Sequence, residues 1–202
     1  EAADAHLAAV EGWLDESATD GQAARNGMIV VDQTQMQNLP ASLATARTYQ
    51  AQARGDIRGS VKYGQQALRL LPADDHLRRG PAAALLGLAQ WALGDLEAAH
   101  QAISEAMANF QKAGNLHFAL SGTYGMADIR VVQGRLHDAI TTYKQVLQIA
   151  LSQGEPPLRG SAELYLGLSE LYRQQGEMEN ARWHLQRSEA LGEEAGLPDW
   201  RY

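Results

Sequence analysis

A glycine that is followed two places later by an aliphatic residue or methionine recurs along the chain at nearly constant spacing. Four such glycines, Gly55, Gly94, Gly134 and Gly176, are separated by 39, 40 and 42 residues. Each lies between stretches that are rich in alanine, leucine, glutamine and glutamate, which are good helix formers. Self-similarity at a period of this size predicts helix pairs that stack on one another as a solenoid.

Small residues flank each of these glycines at fixed distances. Seven places before the glycine and five places after it, the four repeats have Thr48 and Ser60, Gly87 and Ala99, Ala127 and Ala139, and Ser169 and Ala181. Glycine accepts the left-handed conformation that ends a helix at no steric cost. Small side chains allow two helices to cross closely. The pattern therefore predicts a corner at each glycine, with the small residues at the helix crossing.

The predicted fold is an all-α, right-handed superhelix of about ten helices. The predicted helix pairs span 41–54 with 57–70, 79–93 with 95–112, 117–133 with 135–153, and 160–175 with 177–195. Residues 41–202 are thus predicted to form four repeats with a C-terminal cap in 196–202. Residues 1–40 are predicted to form an incomplete N-terminal repeat and an irregular connector, with a short helix around 29–37. Whether the unfinished N-terminal helix associates with a second copy is left open.

Composition excludes several classes of partner. The chain has 202 residues, a formal net charge of −7 and a pI of about 5.3, so its surface repels phosphate backbones and we expect no direct nucleic acid binding. It contains no cysteine, which excludes disulfides and thiolate metal sites and fits a cytoplasmic location. No stretch approaches the ~20 apolar residues of a membrane span, so no membrane association is expected.

Catalytic motifs are not apparent in the sequence. The nucleophile pattern G-x-S-x-G is absent, and no two of the six histidines are three or four residues apart. Glu97 and His100 form a single E-x-x-H motif, whereas di-metal bundles need two such motifs and two further glutamates. The sequence therefore predicts no enzyme activity, no catalytic residue, no cofactor and no metal site.

The spacing of glycine and small residues resembles the tetratricopeptide repeat (TPR), with repeats longer than the usual ~34 residues. The connector LLPADDHLRRG (70–80) and the last repeat, GEPPLRGSAELYLGLSELYRQQGEMENARWHL (154–185), are similar to the regulatory superhelix of MalT-like, LuxR-type, ATP-dependent transcriptional activators. This resemblance covers most of 41–200. It implies a sensor segment that binds an effector or a partner protein and controls ATPase and DNA-binding domains, whose motifs this chain lacks.

The TPR resemblance also implies a binding groove. In that family the first helix of each pair lines the groove, at positions ten, six and three before the corner glycine. The candidate groove residues are Tyr49, Gln52, Trp91, Tyr124, Asp128, Glu170 and Arg173. Aromatic rings mixed with charged groups suit a sugar-like small molecule or a peptide. Two alternatives stay open. Instead of lining a groove, Leu88, Trp91 and Tyr124 pack against neighbouring helices. Instead of a sensor segment, the chain is a free-standing scaffold that docks a peptide or protein partner.

Overall fold

The computed structural model describes residues 2–19, 32–155 and 157–195. Over these ranges the protein consists of nine α-helices and no strand, which confirms the predicted all-α helical-hairpin repeat fold. The helices are α1 (Ala2–Thr19), α2 (Gln33–Ala53), α3 (Ile57–Leu70), α4 (His76–Ala92), α5 (Leu96–Lys112), α6 (Leu116–Val132), α7 (Leu136–Leu151), α8 (Ser161–Gln174) and α9 (Met178–Ala195). The chain divides into two compact units, residues 1–102 (unit 1) and 103–202 (unit 2).

The four predicted corner glycines end the first helices α2, α4, α6 and α8. Their φ angles are 72° at Gly55, 80° at Gly94, 74° at Gly134 and 79° at Gly176. At Gly94, the N–H of Asp95 donates to the carbonyl of Gln90 at 3.0 Å, and the glycine N–H donates to that of Trp91 at 2.8 Å. This pair of bonds is the Schellman motif, and the other three corners have the same pair.

A fifth corner of the same type, at Gly114, joins α5 to α6. Its φ is 76°, and the N–H of Asn115 donates to the carbonyl of Phe110 at 2.8 Å. The sequence predicts that one helix pair ends at residue 112 and that the next begins at 117, with a connector between them. The hydrogen bonds show instead that this connector is as tight as the corners inside the hairpins.

The small residues predicted at the helix crossings are all buried. Two of them also hydrogen-bond across the hairpin: Ser169 Oγ donates to the carbonyl of Ala181 at 2.8 Å, and Ser60 Oγ donates to that of Thr48 at 3.5 Å. A larger side chain at these positions would separate the two helices. The hydroxyl-bearing residues therefore fill the crossing and tie its two backbones together.

Two helix starts differ from the predicted ones because aspartate caps lie further upstream. Helix α2 begins at Gln33 rather than 41, where Asp32 Oδ1 accepts from the N–H of Gln35 at 3.0 Å. The short helix predicted at 29–37 is therefore, from residue 33 onward, the start of α2, which continues through Pro40. Helix α4 begins at His76 rather than 79, because Asp75 Oδ1 accepts from the N–H of Arg78 at 3.2 Å.

The predicted boundary between the N-terminal segment 1–40 and the repeats 41–202 falls inside α2. This domain division stays a prediction. Residues 20–31 of the predicted connector and the predicted cap in 196–202 lie outside the described residues. The remaining predicted helix ends agree with the structure to within two residues. The hydrophobic periodicity therefore locates the repeats well even where the caps shift an end.

The contact between α1 and α2 includes charged pairs. Arg47 Nε donates to Glu11 Oε1 at 2.8 Å, and Arg54 pairs with Asp4. The hydrogen bond from Arg54 lowers the pKa of Asp4 to about 2. Arg47 lies eight places before its corner glycine, Gly55. The equivalent position of α8, eight places before Gly176, is occupied by Leu168, which is fully buried. The α1–α2 junction is thus polar at a position where the last repeat is apolar.

Replacing Gly94 with valine is expected to lower the free energy of unfolding by about 1–2 kcal/mol, because a β-branched residue resists a positive φ. An added Cβ would meet no atom within 4 Å, so the loss reports backbone conformation and not a clash. Gly12, which is exposed within α1 and equally open, is the matched control, and Gly12→Val should cost nothing. Urea unfolding followed by circular dichroism measures both. Equal midpoints for Gly94→Val and the wild type would refute the corner assignment.

Candidate functional site

The first helices of all four hairpins expose the residue six places before the corner glycine. In unit 1 these residues are Tyr49 on α2 and Leu88 on α4, which are 54% and 51% exposed. In unit 2 they are Asp128 on α6 and Glu170 on α8, which are also exposed. The preceding residue, seven places before the glycine, is buried in every repeat. Each first helix therefore turns one face towards its second helix and offers another to solvent.

Three of the predicted groove residues lie in unit 1, and they differ in accessibility. Tyr49 is exposed, Trp91 is half-buried, and Gln52 is half-buried with its side-chain amide engaged. Gln52 Nε2 donates to the carbonyl of Leu85 at 2.9 Å, so this side chain fastens α2 to α4. Of the three, Tyr49 offers the most surface to a ligand.

A cleft of about 360 Å³ lies beside Tyr49, between α2 and the first turns of α4. It is lined by Ser42, Thr45, Ala46, Tyr49, Leu71, Leu77, Arg78 and Pro81. Leu77, on the α4 side of the cleft, is 66% exposed. The Arg78 guanidinium pairs with Asp75 at 2.5 Å. The cleft is thus mainly apolar, with hydroxyls on the α2 side and a guanidinium at the α4 side.

Sequence reasoning missed Leu77, Arg78 and Pro81 as candidate binding residues. It placed the start of α4 at residue 79, which assigned Leu77 and Arg78 to a connector. The signal that could have found them is Asp75, because an aspartate at the N-cap position starts the helix at the next residue. Once α4 starts at His76, Leu77 and Pro81 continue the stripe of Leu88 and Trp91.

The remaining four predicted groove residues lie in unit 2. Tyr124 Oη donates to the carbonyl of Gly160 at 3.3 Å, and its ring centroid lies 6.0 Å from that of Tyr143. Burial raises the pKa of the Tyr124 phenol, so the group stays neutral and acts as a hydrogen-bond donor. Tyr124 therefore links α6 to the start of α8. Desolvation by the surrounding groups raises the pKa of Asp128, one turn further along α6, although much of this residue is exposed.

Glu170 and Arg173 form an exposed ion pair on α8. Arg173 Nε donates to Glu170 Oε2 at 2.7 Å, and Nη2 donates to Oε1 at 2.6 Å. These bonds from Arg173, with a further one from Gln174, lower the pKa of Glu170 to about 2. A ligand that bound either side chain would have to compete with this bidentate pair. The structure thus brings Glu170 and Arg173 together, and ligand binding by the whole predicted set stays a prediction.

Over the described ranges, no group of three or more histidine, aspartate or glutamate side chains is placed to hold a metal ion. None of the helices in the same ranges has the length and apolar character that a membrane crossing requires.

The sequence of this chain matches a known family over most of its length. Residues 41–201 match the model of the MalT-like TPR region. The chain belongs to this family. No curated protein matches its sequence. The MalT-like TPR region is a helical repeat of the TPR type.

Solved structures show the same fold. A kinesin light chain-type protein of Podosopora anserina, built of nearly identical TPR-like repeats, has a TM-score of 0.65 and 15% identity, and the alignment covers 94% of this chain and 86% of that protein. BtubC (BKLC) of P. vanneervenii has a TM-score of 0.65 and 14% identity, with coverage of 83% and 67%. At these identities the similarity establishes the repeat architecture alone.

Proposed function

We propose that this MalT-like TPR region binds a protein or peptide partner through the exposed faces of the first helices within each unit. The observation that carries the proposal is the solvent-facing position six places before each corner glycine, which recurs in all four hairpins. Two of the four positions, Tyr49 and Leu88, expose large apolar side chains, and exposed apolar patches mark sites of interaction with other molecules. Such binding needs only an accessible, complementary surface.

The unit 1 cleft supports the same function, because it can receive one side chain of a partner. Its volume of about 360 Å³ can receive a leucine or an aromatic ring from a partner. Interfaces gain most of their binding energy from a few such anchors in well-packed pockets. The hydroxyls of Ser42 and Thr45 and the guanidinium of Arg78 would then orient the backbone or polar groups of the bound segment.

Family membership favours a second candidate, effector sensing within a transcriptional regulator of the LuxR type. In this proposal a small molecule, such as a sugar, stacks on Tyr49 or Tyr124 and hydrogen-bonds to neighbouring polar groups. The bound state would control ATPase and DNA-binding domains of a larger protein. The match of residues 41–201 to the MalT-like TPR region supports this regulatory context.

Site-specific photo-crosslinking in living cells tests partner binding. A photoreactive amino acid is placed at Tyr49, Asp128 and Glu170, and for comparison at the exposed second-helix residues Gln65 and Gln148. We expect the three first-helix sites to crosslink to a common protein and the second-helix sites to give no such product. Crosslinks confined to Gln65 and Gln148 would refute the proposed binding face.

Small-molecule sensing has a different signature. A metabolite screen by thermal melting should then find a compound that stabilises the purified chain, by about 2.7 kcal/mol at a hundredfold excess over its Kd. Tyr49→Ala or Tyr124→Ala should remove that shift.

A further inference from the structure

A pocket of about 170 Å³ lies in unit 2, where α5 ends, α6 begins and α7 ends. Nine residues line it, and eight of them are apolar. The ninth, Gln111, and the nearby Ala108 are exposed, whereas the other lining residues are half-buried or buried. The pocket is therefore apolar inside, with its one polar side chain at the mouth.

The interior of this pocket suits an uncharged, apolar occupant. All of its lining residues are uncharged, so an ionic group would lose its hydration there without gaining a partner. A bound water needs several polar partners, and Gln111 alone supplies a polar side chain to the pocket. An engineered apolar cavity of about 150 Å³ in another protein binds benzene. A space of about 170 Å³ thus has room for one aromatic ring.

The equivalent junction in unit 1, between α3 and α4, is spanned by an arginine side chain. Arg79 lies fifteen places before its corner glycine, and so does Ala119 in the pocket wall. Arg79 Nη1 donates to the carbonyls of Leu68 and Leu71 at 3.0 Å each, so it reaches across the end of α3. Leu68 is the counterpart of Met107, since each lies thirteen places after a corner glycine. The methyl group of Ala119 cannot reach across in this way, and the space beside Met107 stays open.

One wall of the pocket belongs to the connector between α7 and α8. Leu158 in this connector lines the pocket, and its carbonyl accepts from Ser161 Oγ at 2.6 Å. Ser161 is the first residue of α8 and is fully buried. The carbonyl of Gly160 accepts from Tyr124 Oη on α6 at 3.3 Å. A molecule in the pocket would therefore contact the segment that positions the start of α8.

We propose that the pocket formed by α5, α6, α7 and Leu158 is a binding site for a small, uncharged, apolar molecule about the size of one aromatic ring. The inference concerns unit 2 alone and does not rest on the proposed partner binding, because neither Asp128 nor Glu170 lines the pocket. An occupant would fill a gap that close packing otherwise avoids and would contact three helices and a connector at once. Binding should therefore stabilise unit 2.

A pair of matched small molecules tests the proposal. Toluene is the probe, and benzoate, which has a carboxylate in place of the methyl group, is its charged control. In NMR spectra of the intact chain with labelled methyl groups, toluene should cause saturable shifts at Val146, Ile149 and Leu158. The resonances of Leu86, which is buried in unit 1, should not move. Benzoate should bind at least about tenfold more weakly, because the pocket offers its charge no partner.

Two substitutions of Ala119 locate the binding to the pocket. Ala119→Leu fills the space with apolar atoms, and Ala119→Arg introduces the type of side chain that spans the junction between α3 and α4. Each should weaken toluene binding by at least about tenfold, because the added atoms take the place of the ligand. The matched control is Ala190→Leu, because Ala190 on α9 is exposed and lies outside the pocket. Melting temperatures show which variants are folded, and the arginine variant serves if the leucine overpacks the site.

Several results would overturn this inference. One is the absence of saturable toluene shifts at the pocket methyl groups, and another is equal binding of benzoate. Shifts of the same size at Leu86 would show non-specific uptake of toluene and would also reject the site. The last is unchanged toluene binding by a folded Ala119→Leu or Ala119→Arg variant. None of these results bears on crosslinking at Asp128 or Glu170, so the proposed function is judged separately.

Discussion

Replacing Leu168 with alanine is expected to lower the free energy of unfolding of unit 2 by about 2–5 kcal/mol. Leu168 is fully buried on α8, in a core cluster that also contains Tyr143 and Leu147 of α7 and Ala181 of α9. Truncation would remove buried methyl groups and leave a cavity between three helices, which close packing cannot refill. Urea unfolding followed by circular dichroism measures the loss.

Leu166 provides the matched control for this prediction. It lies two residues earlier on the same helix but is 41% exposed. Leu166→Ala should therefore change the free energy of unfolding by no more than about 0.5 kcal/mol. If both variants lost stability equally, the assignment of buried and exposed faces on α8 would be wrong.

Replacing Gly167 with alanine is expected to destabilise unit 2 by about 1–3 kcal/mol, although alanine is the better helix former. An added Cβ at Gly167 would lie 2.5 Å from Cζ, 2.6 Å from Cε1 and 2.7 Å from Oη of Tyr143. The phenol ring is 5% exposed and packed on several sides, so it cannot move aside without opening the core. The melting temperature should fall accordingly.

A double-mutant cycle isolates this contact. In a Tyr143→Leu background the ring is gone, so Gly167→Ala should cost much less than in the wild type. The coupling free energy between the two positions is expected to reach about 1 kcal/mol or more. Additive effects would show that Gly167 does not contact Tyr143 closely, and the α7–α8 packing would need revision.

The repeat architecture could be predicted from sequence because its determinants are local. A left-handed cap needs glycine, so Gly55, Gly94, Gly134 and Gly176 mark the corners directly. Helix crossings need small residues at fixed distances from those corners, and this requirement acts on single positions such as Ser60 and Ala139. Both features recur in each repeat, which separates them from chance.

The helix starts at α2 and α4 were predicted less well. A cap depends on one side chain that reaches one backbone N–H, and several aspartates or asparagines compete for the role in each connector. In the structure Asp32 caps α2 and Asp75 caps α4. The cap at Asp75 adds Leu77 and Arg78 to α4. The accessible stripe on α4 was thereby underestimated at its N-terminal end.

The predicted groove residues show what cannot be inferred from a residue's distance to the corner glycine alone. The position six before the glycine is exposed in every repeat. The positions three and ten before it vary, because their environment depends on the neighbouring first helix. Gln52 is bonded to the Leu85 backbone and Tyr124 to that of Gly160. Such partners lie more than thirty residues away in the chain and leave no local signal.

By itself, the sequence determined the all-α class, the helix pairs and their corners, since these follow from periodicity and from the backbone conformation of glycine. Only the tertiary structure decided which side chains remain available for binding. Availability depends on whether a distant helix supplies a hydrogen-bond partner or a packing surface, as it does for Gln52 and not for Leu77. Local propensity shapes each helix, but the accessible face of α4 emerges only when α2 and α3 pack against its other sides.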